Sequence, residues 1–151
     1  MSLRLEHVCD LTVELTPPHE VGASGQGARR IIPIVGGSAR GERLSGTILP
    51  VGADWQTVNA DGVADLDARY AIQTDDGAVI EVLSQGVRHA SPEVAARITS
   101  GEMVAPSEYY MRTAIRLSTG HPAYAWVNRA IFIATGGKVG ATVSLAVYQV
   151  L

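Results

Sequence analysis

The groups in this chain that could do chemistry are carboxylates and hydroxyls set among apolar residues. Glu81 is the first. Asp65–Thr74 and Ala78–Gly86 read as a hairpin across Asp75-Asp76-Gly77. A two-residue turn there puts Leu66, Ala68, Tyr70 and Ile72 on one face with Val79, Glu81 and Leu83. An ionised carboxylate on an apolar face is costly unless it is paired or its pKa rises. A carboxyl with a raised pKa suits general acid or base work near neutrality. Tyr70 is its natural hydrogen-bond neighbour. The competing reading is a solvated face, or an arginine that neutralises Glu81.

Asp54-Trp55 is the second candidate. It follows Pro50 and Gly52 just past a strand end, and loops at barrel mouths often carry binding groups. Asp54 would orient a polar ligand beneath the Trp55 indole. Against this stands a turn aspartate bonding its own backbone, with Trp55 plugging the barrel end.

The segment Glu108–Thr135 is the third. It reads as two long strands joined by a tight turn at Ser118–His121, and it is rich in aromatics. Symmetric pairing sets Met111 opposite Asn128, Thr113 opposite Trp126 and Ile115 opposite Tyr124. One face then carries Tyr109, Thr113, Tyr124, Trp126, Asn128 and Phe132, which suits a barrel lumen. The other carries Tyr110, Arg112, Arg116 and Arg129, which suits solvent or a symmetric dimer contact. A bulge would shift the pairing by one and set Arg112 against Asn128 instead. The plain alternative is that the aromatics are core and backbone groups satisfy Asn128.

Other chemistries find little support. His7, His19, His89 and His121 are scattered, and His7-x-Cys9 is the only close pair. Two ligands on one strand face do not make a closed metal site, so neither a metal nor a cofactor is expected. Cys9 reads as a small buried hydrophobe. The glycine-rich run Val21–Ala28 enters a strand rather than a helix, unlike a phosphate loop. It is expected to be a mobile flap over a barrel mouth, with Arg29 or Arg30 reaching a ligand carboxylate. No nucleophile elbow or Ser-His-Asp order is present.

These groups must be positioned by strands. The chain has 151 residues, one domain by size. With 46% hydrophobic and 18% charged residues it can bury a core without disulfides. A formal net charge of −3 gives no basic field for nucleic acid. No run approaches the roughly 20 apolar residues of a membrane helix. The N-terminal residues Met1–Asp10 lack the apolar core of a signal peptide. A single cysteine permits a cytoplasmic location.

Glycine and proline recur between short β-rich runs: Leu3–Leu15, Arg30–Val35, Gly41–Pro50, Asp65–Thr74, Ala78–Gly86 and Ala141–Leu151. One helix is expected, capped by Ser91, opened by Pro92 and stopped by Gly101. The pattern predicts an all-β fold: a small closed antiparallel barrel of about eight strands or more with one short α-helix.

An ordered set of motifs carries a resemblance. It comprises Arg30–Gly41 with Gly36-Gly37, Gly46-x-x-x-Pro50-x-Gly52-Ala53-Asp54-Trp55 and Leu66-Asp67-Ala68-Arg69-Tyr70. Thr74-Asp75-Asp76-Gly77-Ala78, Tyr109-Tyr110-x-Arg112-Thr113 and Tyr124-x-Trp126-x-Asn128-Arg129 complete it. Over nearly its whole length the chain resembles a family of bacterial and fungal proteins of similar size, classed as a domain of unknown function. The resemblance implies a small closed barrel, somewhat like allene oxide cyclases and distantly like lipocalins. It implies no particular activity.

Three functions follow. The first is an enzyme that moves a proton on a small organic molecule without a cofactor, in an isomerisation, cyclisation, hydration or dehydration. Glu81 or Asp54 would carry the proton, and Tyr70, Tyr109 and Asn128 would stabilise an oxyanion. Trp55, Thr113, Tyr124, Trp126 and Phe132 would hold the substrate. The second is a carrier or sensor of a small apolar ligand. The third is a structural module that dimerises through the Tyr110, Arg112 and Arg129 face.

Overall fold

Period-two alternation between turn residues produces ten strands. The computed structural model describes residues 1–151. The strands are β1 (Leu5–Leu15), β2 (His19–Ser24), β3 (Gly27–Arg40), β4 (Gly46–Ile48) and β5 (Gly52–Val58), followed by β6 (Val63–Thr74), β7 (Val79–His89), β8 (Tyr110–Ser118), β9 (Phe132–Val139) and β10 (Thr142–Val150). All neighbours are antiparallel. β1 pairs β10 on one side and β3 on the other, so the sheet closes. β4 and β5 share one position between β3 and β6, and the result is an eight-strand barrel with extra strands. The closed antiparallel barrel expected from the sequence is the fold observed.

β2 continues the line of β1 along β3, beyond the barrel. The glycine-rich run expected as a loop is therefore mostly a hairpin. Thr16-Pro17-Pro18 marks the break between β1 and β2. Pro33 of β3 lies opposite that break, and its carbonyl accepts from Thr16 N at 3.2 Å. β5 pairs with Pro33 on its other side, but the proline nitrogen faces the break, where no strand stands to accept a hydrogen bond, so the missing N–H is harmless.

α1 (Pro92–Thr99) begins where the sequence predicts. Ser91 Oγ accepts from Val94 N at 3.2 Å, and Gly101 follows the helix with φ +84°. Two short 3₁₀ segments add to it, Pro106–Glu108 and Pro122–Arg129.

The second of these overturns the expected hairpin. β8 pairs β9 with Thr113 opposite Ala134 and Ile115 opposite Phe132. Neither the symmetric register nor its one-residue slip occurs. His121 caps a 3₁₀ segment by accepting from Ala123 N at 3.2 Å, and Pro122 follows. Proline fixes a helical φ and offers no N–H to a ladder. The segment lies across one barrel end and seats Val127 at 0% exposure beside Phe132, also 0%. Tyr124, Trp126 and Asn128 accordingly sit on this cap and not on a strand. The Tyr124 hydroxyl donates to Asp76 Oδ1 at 2.8 Å. Trp126 packs on Phe132 with ring centroids 6.0 Å apart, and the Arg43 guanidinium stands 3.9 Å from its ring centroid. Asn128 is held by backbone alone: its Oδ1 accepts from Thr119 N at 2.9 Å and its Nδ2 donates to Thr119 O at 2.8 Å.

The β6–β7 turn overturns a second expectation. Tyr70 pairs with Val82 and Ile72 with Ile80. Three residues, Asp75 to Gly77, separate Thr74 from its partner Ala78, and Gly77 takes φ +93°. A third residue in the left-handed region is a standard hairpin solution. It exchanges the two faces of β7 relative to a two-residue turn. Ile80, Val82, Ser84 and Arg88 point inward, and Glu81 is exposed on the outer face.

This register predicts a stability order. Ile80→Ala, at a fully buried position, should cost about 2–5 kcal/mol in urea denaturation. Glu81→Ala should stay within about 0.5 kcal/mol of wild type. The reverse order would refute the inward placement of Ile80.

Candidate functional site

Antiparallel alternation puts the 3₁₀ cap and the β6–β7 turn at one barrel end. The β1–β2 break, the β5–β6 turn, α1 and the β9–β10 turn lie at the other. The capped end is packed solid. The open end holds a cavity of about 360 Å³, in the range typical of small-molecule sites. Ile32, Leu66, Tyr70, Met111, Val143 and Leu145 supply apolar wall. Polar groups enter it from Arg30, Asp54, Gln56, Ser84, Arg88, Thr113 and Lys138.

Asp54 lies within β5, not in a loop. The β5–β6 ladder is interrupted between Asp54↔Ala68 and Thr57↔Asp65. The Asp67 N–H left free by that gap donates to Asp54 Oδ1 at 2.8 Å. Asp54 Oδ2 accepts a longer bond from Gln56 Nε2, at 3.3 Å. Burial pushes the Asp54 carboxyl above the usual aspartate range. The hydrogen bonds from Asp67 and Gln56 and the charge of Arg88 oppose that rise without cancelling it.

Two hydroxyl-bearing residues line the same cavity. Tyr70 Oη and Thr113 Oγ1 are buried with no protein partner. An unpartnered buried hydroxyl costs about 1–3 kcal/mol. Burial also raises the Tyr70 phenol, so it stays protonated and able to donate.

Three cations complete the lining. Arg30 Nε donates to Gln56 Oε1 at 2.9 Å, and Arg30 Nη1 lies 4.0 Å from Glu20 Oε1. Arg88 and Lys138 take part in no ion pair. Burial, then the Arg30 charge, lowers the Arg88 pKa. Burial, then Arg88 and Arg30, lowers that of Lys138. Guanidinium groups remain charged all the same. Tyr109 serves this cluster indirectly: its hydroxyl accepts from Lys138 N at 2.8 Å. A Cβ added at Gly137 would strike that hydroxyl and the Pro106 ring, so glycine is required for the contact.

Of the residues expected to form a site, Asp54, Tyr70 and Thr113 meet in the cavity, and Arg30 of the supposed flap joins them. Trp55 does not. It follows Asp54 in a strand, so it points outward and is 40% exposed. Phe132 is inward but belongs to the packed floor. Tyr124, Trp126 and Asn128 belong to the cap, and Glu81 to the outer surface. Tyr110, Arg112 and Arg116 do face outward, as expected.

Gln56, Ser84, Arg88 and Lys138 are site residues that the sequence reading missed. Each lies an even number of residues from an inward neighbour on its strand: Gln56 from Asp54, Ser84 and Arg88 from Val82, Lys138 from Phe132. Extending the alternation from those anchors would have found them. Cys9 is buried as expected. Its thiol is pushed up to about 12 by burial and by Asp10, which makes it inert.

The relatives of the chain share this architecture. The family model described as "Protein of unknown function (DUF3237)" matches residues 3–150. A conserved protein of unknown function from Rhodopseudomonas palustris superposes with a TM-score of 0.97 at 38% identity, covering 100% of this chain and 99% of that one. A β-barrel-like protein from Acinetobacter baumannii gives 0.88 at 37% identity, covering 100% and 98%. An enzyme from Penicillium herquei gives 0.77 at 22% identity, covering 100% and 96%, which is a likeness of fold. On the family match over nearly its full length, and on these barrels, the chain belongs to the DUF3237 family, a β-barrel family of unknown function.

Proposed function

We propose that the open end of the barrel binds a small organic molecule and that Asp54 exchanges a proton with it. The reaction class is isomerisation, cyclisation, hydration or dehydration, run by the protein's own side chains. One observation carries this reading: a desolvated carboxylate shares an apolar cavity with Tyr70 and Thr113, whose buried hydroxyls have no protein partner.

The roles follow from the geometry. Asp67 N–H anchors Oδ1 at 2.8 Å, and the Gln56 amide holds Oδ2 more loosely at 3.3 Å. Oδ2 is then the oxygen that accepts the proton. Burial strengthens it as a base by disfavouring its ionised form. Removing a proton from carbon beside a carbonyl moves the electron pair onto the carbonyl oxygen. Tyr70 and Thr113 hydroxyls would donate to that oxygen as its charge grows. Protonated Asp54 would then return the proton to another carbon, or to a leaving hydroxyl that departs as water. Glu81 has no part in this scheme, because it lies on the outer face. The Penicillium herquei barrel is an enzyme, which supports the fold as a host for chemistry but not a particular reaction.

A second reading is a non-catalytic carrier or sensor. It is favoured by the hydrogen bonds that Asp54 already accepts at both oxygens, which would suit a fixed element of a binding wall.

Asp54→Asn separates the two. Asparagine Oδ1 can still accept from Asp67 N–H but cannot take a proton. Screened against small carbonyl and hydroxy-acid compounds, the wild type should turn over a substrate that Asp54→Asn converts about 10²–10⁴-fold more slowly while binding it at least as tightly. Binding without turnover in either protein would favour the carrier. In the catalytic reading the acid limb of kcat/KM should fall above the ordinary aspartate pKa of about 3.9.

Stability should move in the opposite direction to activity. A raised folded pKa means that the native state favours protonated Asp54. Its contribution is full below the unfolded pKa and is lost as pH rises through the folded one. Asp54→Asn should therefore melt higher than wild type at pH 7, and the gap should close below about pH 3.9. Thermal denaturation across that range measures it. A variant less stable at pH 7 would overturn the assignment of Asp54 as a strained carboxylate.

A further inference from the structure

The lumen carries more positive charge than its one carboxylate can answer. Arg30 is occupied on one side by Gln56 and faces Glu20 on the other. That leaves Arg88 and Lys138 set against Asp54 alone. Two cations and one carboxylate leave one positive charge over. Neither Arg88 nor Lys138 makes an ion pair or donates a side-chain hydrogen bond within the protein. Arg88 and Lys138 are both partly buried, and an unpaired cation is costly to the extent that burial strips its water. On the outer face Arg69 and Arg116 likewise outnumber Glu81 around a shallow depression, but all three are exposed and solvated there; Arg97 beyond α1 is answered by Glu102 and Glu108.

The geometry points to a small organic monoanion as the ligand class: a carboxylate on a compact apolar body, its charged end between Arg88 and Lys138 and its body against Tyr70, Leu66 and Leu145. This rests on the reading of the lumen as a small-molecule site. A carboxylate accepts from a guanidinium in a fork and from an ammonium as a point charge. A cavity of about 360 Å³ accommodates a compact body of one or two rings. A dianion would leave the site with excess negative charge, and a bodyless anion would leave the apolar wall uncovered. The polar end also places carbons beside the ligand carboxyl within the same cavity as Asp54, the oxygen that would exchange a proton with them.

Isothermal titration calorimetry with matched pairs tests the inference. Benzoate, cyclohexanecarboxylate and phenylacetate are titrated against their neutral amides, with inorganic phosphate as the bodyless anion. At least one carboxylate is expected to bind tenfold or more tightly than its amide, and phosphate to bind more weakly than that carboxylate. Arg88→Gln and Lys138→Gln should each weaken the carboxylate about tenfold and leave the amide unchanged. Asp54→Asn should tighten the carboxylate, since it removes the one opposing charge. Both glutamine variants should melt at or above the wild-type temperature, because each removes one of two cations that share a single carboxylate, and that melt also certifies their fold.

Amides that bind as tightly as their carboxylates would overturn the anion inference and leave the lumen reading standing. So would carboxylate affinity unchanged in a folded Arg88→Gln, Lys138→Gln double variant. Phosphate binding more tightly than every carboxylate would overturn it as well. Failure of every carboxylate and every amide to bind would overturn both readings together.

Discussion

A closed sheet offers each side chain two addresses, the lumen or the outside, and strand alternation decides between them. β1 joins β10 to β3 and removes any free barrel edge, so no strand can slide to correct a misplaced residue. Register is set instead at the turns. The Asp75–Gly77 turn shows the force of this. One residue more than the shortest hairpin sends Ile80 and Val82 into the core, Arg88 into the lumen and Glu81 outside. The charge balance of the cavity thus depends on a turn at the opposite end of the barrel.

The two barrel ends divide stability from binding. At the capped end Phe132, Val127, Ile115, Ile80 and Ile72 pack at or near zero exposure. Arg43, Trp126, Tyr124 and Asp76 fasten the cap from outside. At the open end, hydroxyls lack partners, Arg88 and Lys138 outnumber the one carboxylate, and that carboxylate is held partly out of water. Each of these features destabilises the fold locally. A solid floor lets the chain tolerate them, since large core contributions outweigh a few unsatisfied polar groups.

The fold was legible in the sequence because it rests on local signals. Glycine and proline punctuation, alternation, and the Ser91-Pro92 helix start act over a few residues each. The site was less legible because it rests on parity across turns. Alternation along their own strands places Tyr70 and Thr113 inward, whereas Asp54 reads as a mouth-loop residue although it lies within β5. Glu81 was misplaced by one turn residue. Tyr124, Trp126 and Asn128 were misplaced because Pro122 makes a cap out of what alternation reads as strand. Lys138 went unnoticed among glycines, though its spacing from Phe132 is even. Trp55 could have been excluded at once, since a strand cannot aim both Asp54 and its immediate neighbour inward.

The seam between β1 and β10 joins the most distant parts of the sequence, with Val13 opposite Val143 and Leu11 opposite Leu145. β6 to β9, by contrast, pair with neighbours in chain order. Loop-closure entropy makes such a seam the slow pairing of a meander. Val13, Val143 and Leu145 are also cavity wall. The chamber therefore has no fourth side until the two ends of the sheet have met. Whatever occupies it is a guest of the finished ring only, and by mass action acts as a clasp on the pairing that finished it.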